Sequence, residues 1–144
     1  MTDLEIAKTE LFEENLTLAI VKNGLLLYST KSHRISGFLE AIDRCGENLR
    51  GASVADRVVG KAVGLLCAYA CVKDVYAVVL SRKALLVLKQ SKVCVYWNEL
   101  VENVLDEKKT GVCPLEKAAA EISSPEVAFK TLRGLRETLK SAKR

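Results

Sequence analysis

Two short polar segments carry the residue types that could do chemistry. The first is Gly51-Ala52-Ser53-Val54-Ala55-Asp56-Arg57-Val58-Val59-Gly60-Lys61-Ala62, which runs into the uncharged stretch from Val63 to Val72. The second is Thr110-Gly111-Val112-Cys113-Pro114-Leu115-Glu116-Lys117. Ser53 followed three residues later by Asp56 fits a capping box, in which the serine oxygen accepts from the amide at Asp56 and the acid reaches back. Read this way, a central helix runs from Ser53 to about Ala70, with a polar start at the surface and a buried body. The pair is then either a cap worth ~1 kcal/mol or a grip on a ligand hydroxyl. Arg57 and Lys61 fall one turn apart near the positive end of that helix. Like charges at this spacing repel by ~0.2–0.5 kcal/mol, and the helix dipole disfavours cations there. A bound phosphate or carboxylate would relieve both effects. So would a glutamate from another element, or solvent.

In the second segment Pro114 suits a first helical position, which makes Cys113 the cap and Glu116 the third helical residue. A thiol at a helix start tends toward the thiolate, and Lys117 pushes the same way. Cys113 is therefore a candidate nucleophile or redox-sensitive thiol, against the plainer reading of a small residue in a tight turn. No histidine in the segment serves as its base; the single histidine of the chain is His33, in a polar turn. Thr110 and Gly111 would add a hydroxyl and an amide beside it. The candidate catalytic residues are Cys113 and Asp56. The candidate ligand-binding residues are Ser53, Arg57, Lys61, Thr110, Gly111, Glu116 and Lys117. Gly60-Lys61 does not make a P-loop, because Ala55 replaces the required earlier glycine and Ala62 replaces the magnesium-holding hydroxyl. Gly60 and Gly64 instead suit close packing of a helix on its neighbour.

These segments need a frame. Asp3 to Glu14 has helical spacing, with Leu4, Ala7 and Leu11 on one face. Leu16 to Lys22 and Leu25 to Ser29 read as strands joined by Asn23-Gly24, a type I′ hairpin signal. Ser36 to Cys45 reads as a helix stopped by Gly46. Val75 to Leu80 is a nearly continuous apolar strand, as expected when both its faces are covered. Arg82 to Gln90 reads as a helix, Val93 to Trp97 as a strand, and Asn98 to Leu105 as a short amphipathic segment. Pro114 to Ile122 is helical, and Ser124-Pro125 opens a last helix. The strand–helix–strand unit from Val75 to Trp97 calls for a right-handed parallel crossover. Trp97 and Tyr96 read as packing residues.

Composition narrows the class. A chain of 144 residues with 49% hydrophobic and 28% charged content suits one domain, spanning 1–144, with a real core. The longest uncharged run, Ala62 to Val72, falls far short of the ~20 residues a membrane span needs. The acidic start Thr2-Asp3-Leu4-Glu5 does not read as a secretory signal, so the expected location is cytoplasmic. Five cysteines form no C-x-x-C pair, and a disulfide framework is not expected. Cys67, Cys71 and Cys94 read as buried thiols acting as small hydrophobes. The net charge of +4 sits wholly in the segment after Ser124, where six basic residues face two acids. No aromatic residue interleaves with the basic residues from Lys130 to Arg144, which argues against nucleic-acid binding.

The element order, with the segments GASVADRVVGKA and TGVCPLEKA, resembles a small family of bacterial and archaeal proteins that share the cytidine-deaminase-like fold. The likeness spans nearly the whole chain, from Glu14-Asn15-Leu16-Thr17-Leu18 through the helix after Cys113. It implies an α/β fold, a three-layer α/β/α sandwich with a mixed sheet, and implies no particular reaction. Zinc deaminases carry a His or Cys and a Glu at one helix start and P-C-x-x-C at the next. Here Ser53-Val54-Ala55-Asp56 is read at the first and Ser81-Arg82-Lys83 at the second, so no zinc site and no cofactor are expected. Three functional readings follow. The first is a protein binding a small anionic or nucleotide-like ligand between the two helix starts, with chemistry at Cys113. The second is a non-catalytic scaffold or homo-oligomer subunit. The third is a nucleic-acid-associated protein using the basic C-terminal helix.

Overall fold

The hairpin signal at Asn23-Gly24 is met to the letter. A computed structural model describes residues 1–32, 34–103 and 114–142, and in it Asn23 and Gly24 have φ of 53° and 77°, as a type I′ turn requires. They join β1 (Leu18–Lys22) to β2 (Leu25–Thr30) as an antiparallel pair. The carboxylate of Asp3, in the first turn of α1 (Asp3–Glu13), accepts from both turn amides at 2.9 Å. Thr2 caps that helix by accepting from Glu5 N at 3.2 Å.

The chain continues through α2 (Arg34–Cys45), a 3-10 turn at Gly46–Leu49, β3 (Ser53–Val59), α3 (Lys61–Ala70), β4 (Asp74–Ser81), α4 (Arg82–Gln90), β5 (Cys94–Val101), α5 (Pro114–Ala119) and α6 (Pro125–Ala142). The sheet order is β2-β1-β3-β4-β5. β1 runs antiparallel to β2 and β3, while β3, β4 and β5 are mutually parallel. Helix α1 covers one face, packing Ala7 and Leu11 on Ala19, Val21, Ala55 and Tyr76. The other face carries the larger core, built by α2, α3, α4 and α6 over Leu18, Ile20, Val54, Val75 and Ala77. This is the three-layer α/β/α sandwich with a mixed sheet that the resemblance implies.

One expectation fails in an instructive way. Ser53 to Val59 is a strand, and the helix begins only at Lys61. Ser53 and Asp56 therefore form no capping box. β3 is the middle strand, bonded to β1 on one side and β4 on the other, and such a strand is decided by its partners more than by local propensity. Its valines suit the strand, and Gly60, in extended backbone, is the true N-cap of α3. The residues from Asn98 to Val101, read as the start of a separate amphipathic segment, likewise belong to β5. Gly64 does allow close helix packing, since a Cβ there would lie 3.4 Å from the Cα of Ala84 on α4.

The cysteine reading is corrected in part. Cys67 is buried, but Cys71 and Cys94 are exposed. Cys71 occupies the left-handed cap after α3, with φ 58°, and Cys94 opens the edge strand β5. Tyr96 and Trp97 are also exposed, at 56% and 39%, rather than packed. His33 lies outside the described residues.

Burial pushes the Cys67 thiol well above its usual range, and the charge of nearby Asp56 adds to this. The unfolded chain ionises its thiols near ~8.5 while folded Cys67 keeps its proton, so stability is full below that pH and falls as pH rises above it. The slope approaches about 1.4 kcal/mol per pH unit. Urea unfolding of wild type and Cys67→Ala from pH 7.5 to 10 checks this: the wild type is expected to lose stability more steeply. Parallel curves would refute it.

Candidate functional site

The carboxyl ends of β3 and β4 feed directly into α3 and α4, so two helix N-termini open side by side at one end of the sheet. Carboxyl strand ends are where open α/β sheets gather ligands. The α4 start is closed internally: Ser81, 2% exposed, accepts from Ala84 N at 3.1 Å. The α3 start is different. Gly60 offers no side chain for capping, and the place is taken by Glu116 from α5. Its Oε1 accepts from Ala62 N at 3.0 Å. A Cβ on Gly60 would meet this carboxylate at 2.5 to 2.8 Å, so the glycine is what lets it seat. Lys61 Nζ then donates to Ala120 O at 2.7 Å, which fastens the far end of α5.

A cleft of about 180 Å³ lies over these helix starts, lined by Lys61, Ser81, Lys83, Glu102, Glu116 and Lys117 among others. That is below the ~300 Å³ at which drug-sized pockets begin; it matches a phosphate or carboxylate head rather than a whole nucleotide. Its walls carry three lysines and two glutamates, and the α3 and α4 N-termini add partial positive charge.

The other expected site residues separate. Ser53 is buried, but it starts β3 at the opposite end of the strand from Gly60. Seven residues of strand put roughly 20 Å between the two ends. Ser53 instead lines a depression with Met1, Lys73, Asp74, Tyr96 and Trp97. Arg57 points to the α1 face: Nε donates to Leu16 O at 2.9 Å, Nη2 donates to Leu11 O at 3.0 Å, and the guanidinium lies over the Phe12 ring. It ends α1, where a cation meets the helix carbonyls favourably, so it is no neighbour of Lys61. Asp56 is fully buried on the α3 face, with Oδ1 accepting from Val58 N at 3.3 Å. Cys113, Thr110 and Gly111 lie outside the described residues. Lys61, Glu116 and Lys117 are thus the expected residues that do meet.

Sequence reading missed Lys83 and Ser81 as members of this cleft and missed Gly60 as the helix start. The usable signal was Val58-Val59-Gly60, a β-branched pair ended by glycine, followed by the uncharged helix and a second strand. That is a strand–helix–strand unit placing Gly60 and Ser81 at equivalent corners. Among the described residues, no three His, Cys, Asp or Glu side chains gather to hold a metal ion.

A family model described as "TM1506: Domain of unknown function (DUF1893)" matches residues 6–135. No curated protein matches the chain. Among solved structures, a DUF1893 family protein from Thermotoga maritima superposes with a TM-score of 0.83 at 24% identity, covering 93% of this chain and 90% of that one. Acinetobacter baumannii RibD, form 1, gives 0.49 at 20% identity, covering 58% of this chain and 28% of RibD.

Proposed function

The chain belongs to the DUF1893 family, and from that premise we propose that it is a cytoplasmic protein that binds a small anionic ligand at the α3 and α4 starts. One observation carries the reading: a carboxylate, that of Glu116, already sits on the α3 N-terminus through a glycine that leaves room for it. The site accepts an anion in that position, and α5 supplies an internal one. A phosphate or carboxylate head entering the cleft would exchange with Glu116 and take Lys61, Lys83 and Lys117 as counter-charges. Nucleotide-like ligands fit only through such a head, with the remainder outside the described cleft. Free thiols among the described cysteines suit a reducing compartment.

The test is calorimetric titration of inorganic phosphate and nucleoside monophosphates into wild type, Lys61→Ala and Glu116→Ala. Lys61→Ala is expected to weaken binding about tenfold, the loss of one charge-assisted contact of ~1.4 kcal/mol. Glu116→Ala, which vacates the helix start, is expected to tighten it. No saturable binding to either wild type or Glu116→Ala overturns the reading.

Covalent chemistry, in this proposal, falls to Cys113, three residues before Glu116 in the sequence. Alkylation of that thiol against pH is expected to show a midpoint below the free value of ~8.5. A midpoint at the free value removes the cysteine from the mechanism and leaves a binding protein.

A further inference from the structure

The two edges of the sheet differ in kind. β2 is bulged: the register jumps from Ile20↔Tyr28 to Val21↔Leu26, leaving Leu27 as the extra residue. Bulges are one of the devices that keep an edge from pairing with another chain. β5 has no such device. Its pairing with β4 keeps one constant register from Asp74↔Cys94 to Ser81↔Val101. The strand Cys-Val-Tyr-Trp-Asn-Glu-Leu-Val contains no proline and no lysine, and its one charge is Glu99. Among the described residues no strand lies on its outer side. The same strand carries Tyr96 and Trp97, both exposed and on opposite faces of the sheet, the latter the only tryptophan in the chain. Exposed tryptophan and tyrosine are what protein interfaces favour over ordinary surface.

We infer that the outer edge of β5 is a self-association surface, on which two copies of the chain pair antiparallel to continue the five-stranded sheet across a two-fold axis. The charges flanking the strand select a second copy as the occupant. In a register centred on Trp97, Lys92 of one copy comes opposite Glu102 of the other, twice over by symmetry. Tyr96 then faces Asn98, Val95 faces the single acid Glu99, and no like charges meet. Lys92 lies in the left-handed turn two residues before β5, with φ 61°, and Glu102 directly follows the strand, its carboxylate also bound by Arg82 at 2.7 Å, so the pair meets by side-chain reach beyond the ends of the ladder. The two Trp97 rings meet on the axis, where a residue opposes itself. An eight-residue edge is a small interface, so the association is concentration-dependent rather than permanent.

Sedimentation velocity of the full chain, from low to high micromolar concentration, tests this. Wild type is expected to pass from monomer to dimer. Trp97→Lys, which puts a charge on the axis opposite its own copy, is expected to raise the dimer dissociation constant by more than tenfold. Far-UV circular dichroism confirms that the variant is folded. A charge-swap series fixes the register without touching the strand: Lys92→Glu is expected to weaken the dimer, and Lys92→Glu with Glu102→Lys to restore it. A wild type that stays monomeric throughout overturns the inference and leaves the edge to an extended segment of a different protein. A dimer indifferent to Trp97→Lys and to the charge swaps overturns it as well, by placing the interface elsewhere.

Discussion

Leu66→Ala is expected to lower the unfolding free energy by about 3 kcal/mol, within the usual ~2–5 kcal/mol for truncating a fully buried leucine. Leu66 is fully buried in α3. That helix packs on α2, α4 and α6 and forms the centre of the larger core, so a cavity there has few surface elements free to collapse into it. The expected fall in melting temperature is on the order of 10 °C for a chain of this size. The control is Leu86→Ala on α4, where the leucine is 61% exposed; surface changes of this kind stay within about 0.5 kcal/mol. Urea unfolding of the three proteins measures both. Equal losses for the two leucines would mean that α3 is not the packed centre of the fold, and the positioning of the Gly60 corner would lose its support.

The second expected result is an asymmetry. Arg136 on α6 is 7% exposed and holds Asp43 on α2 at 3.2 Å and its neighbour Glu137 at 3.0 Å. This pair ties the last helix to the second. Removing one partner of a buried ion pair leaves a charge without compensation, which costs ~3–5 kcal/mol when both groups are buried. The Asp43 side chain is 34% exposed and Glu137 remains in place, so Asp43→Ala is expected to cost less, about 2 kcal/mol. Arg136→Met removes the buried charge and keeps an apolar stem of similar reach. It is expected to cost under about 1 kcal/mol, because Asp43 can turn to water and Arg133 still lies 3.8 Å away. Denaturant unfolding of the two variants decides the matter. If Arg136→Met proves the more harmful, the pair contributes net attraction, and the desolvation argument fails for it.

Both results concern helices whose bodies are legible in the sequence, although the start of α3 is not. The hairpin at Asn23-Gly24, the helix from Arg82 to Gln90 and the Ser124-Pro125 helix start are local signals, fixed by left-handed turn residues, by apolar spacing and by capping chemistry. Each involves residues only a few positions apart, so a linear reading suffices. The three-layer architecture followed from the element order and from the family resemblance. Glu116 and Lys61 were also named, although as members of two different helix starts.

The Ser53 segment was not legible in the same way. Its S-x-x-D spacing satisfies a cap rule, and its valines satisfy a strand rule. Local energies of ~1 kcal/mol either way cannot separate them. What separates them is two ladders of hydrogen bonds, to β1 and to β4, which exist only once distant parts of the chain meet. The same reason explains the cleft. That a glutamate from α5 would cap α3 is a contact between positions 54 residues apart, and nothing in either segment alone specifies it. Sequence patterning determined which pieces form and which faces they bury. Tertiary pairing decided which strand lies in the middle, which helix start takes its cap from a distant carboxylate, and which edge strand has no further partner among the described residues, because those outcomes depend on partners that local spacing does not encode.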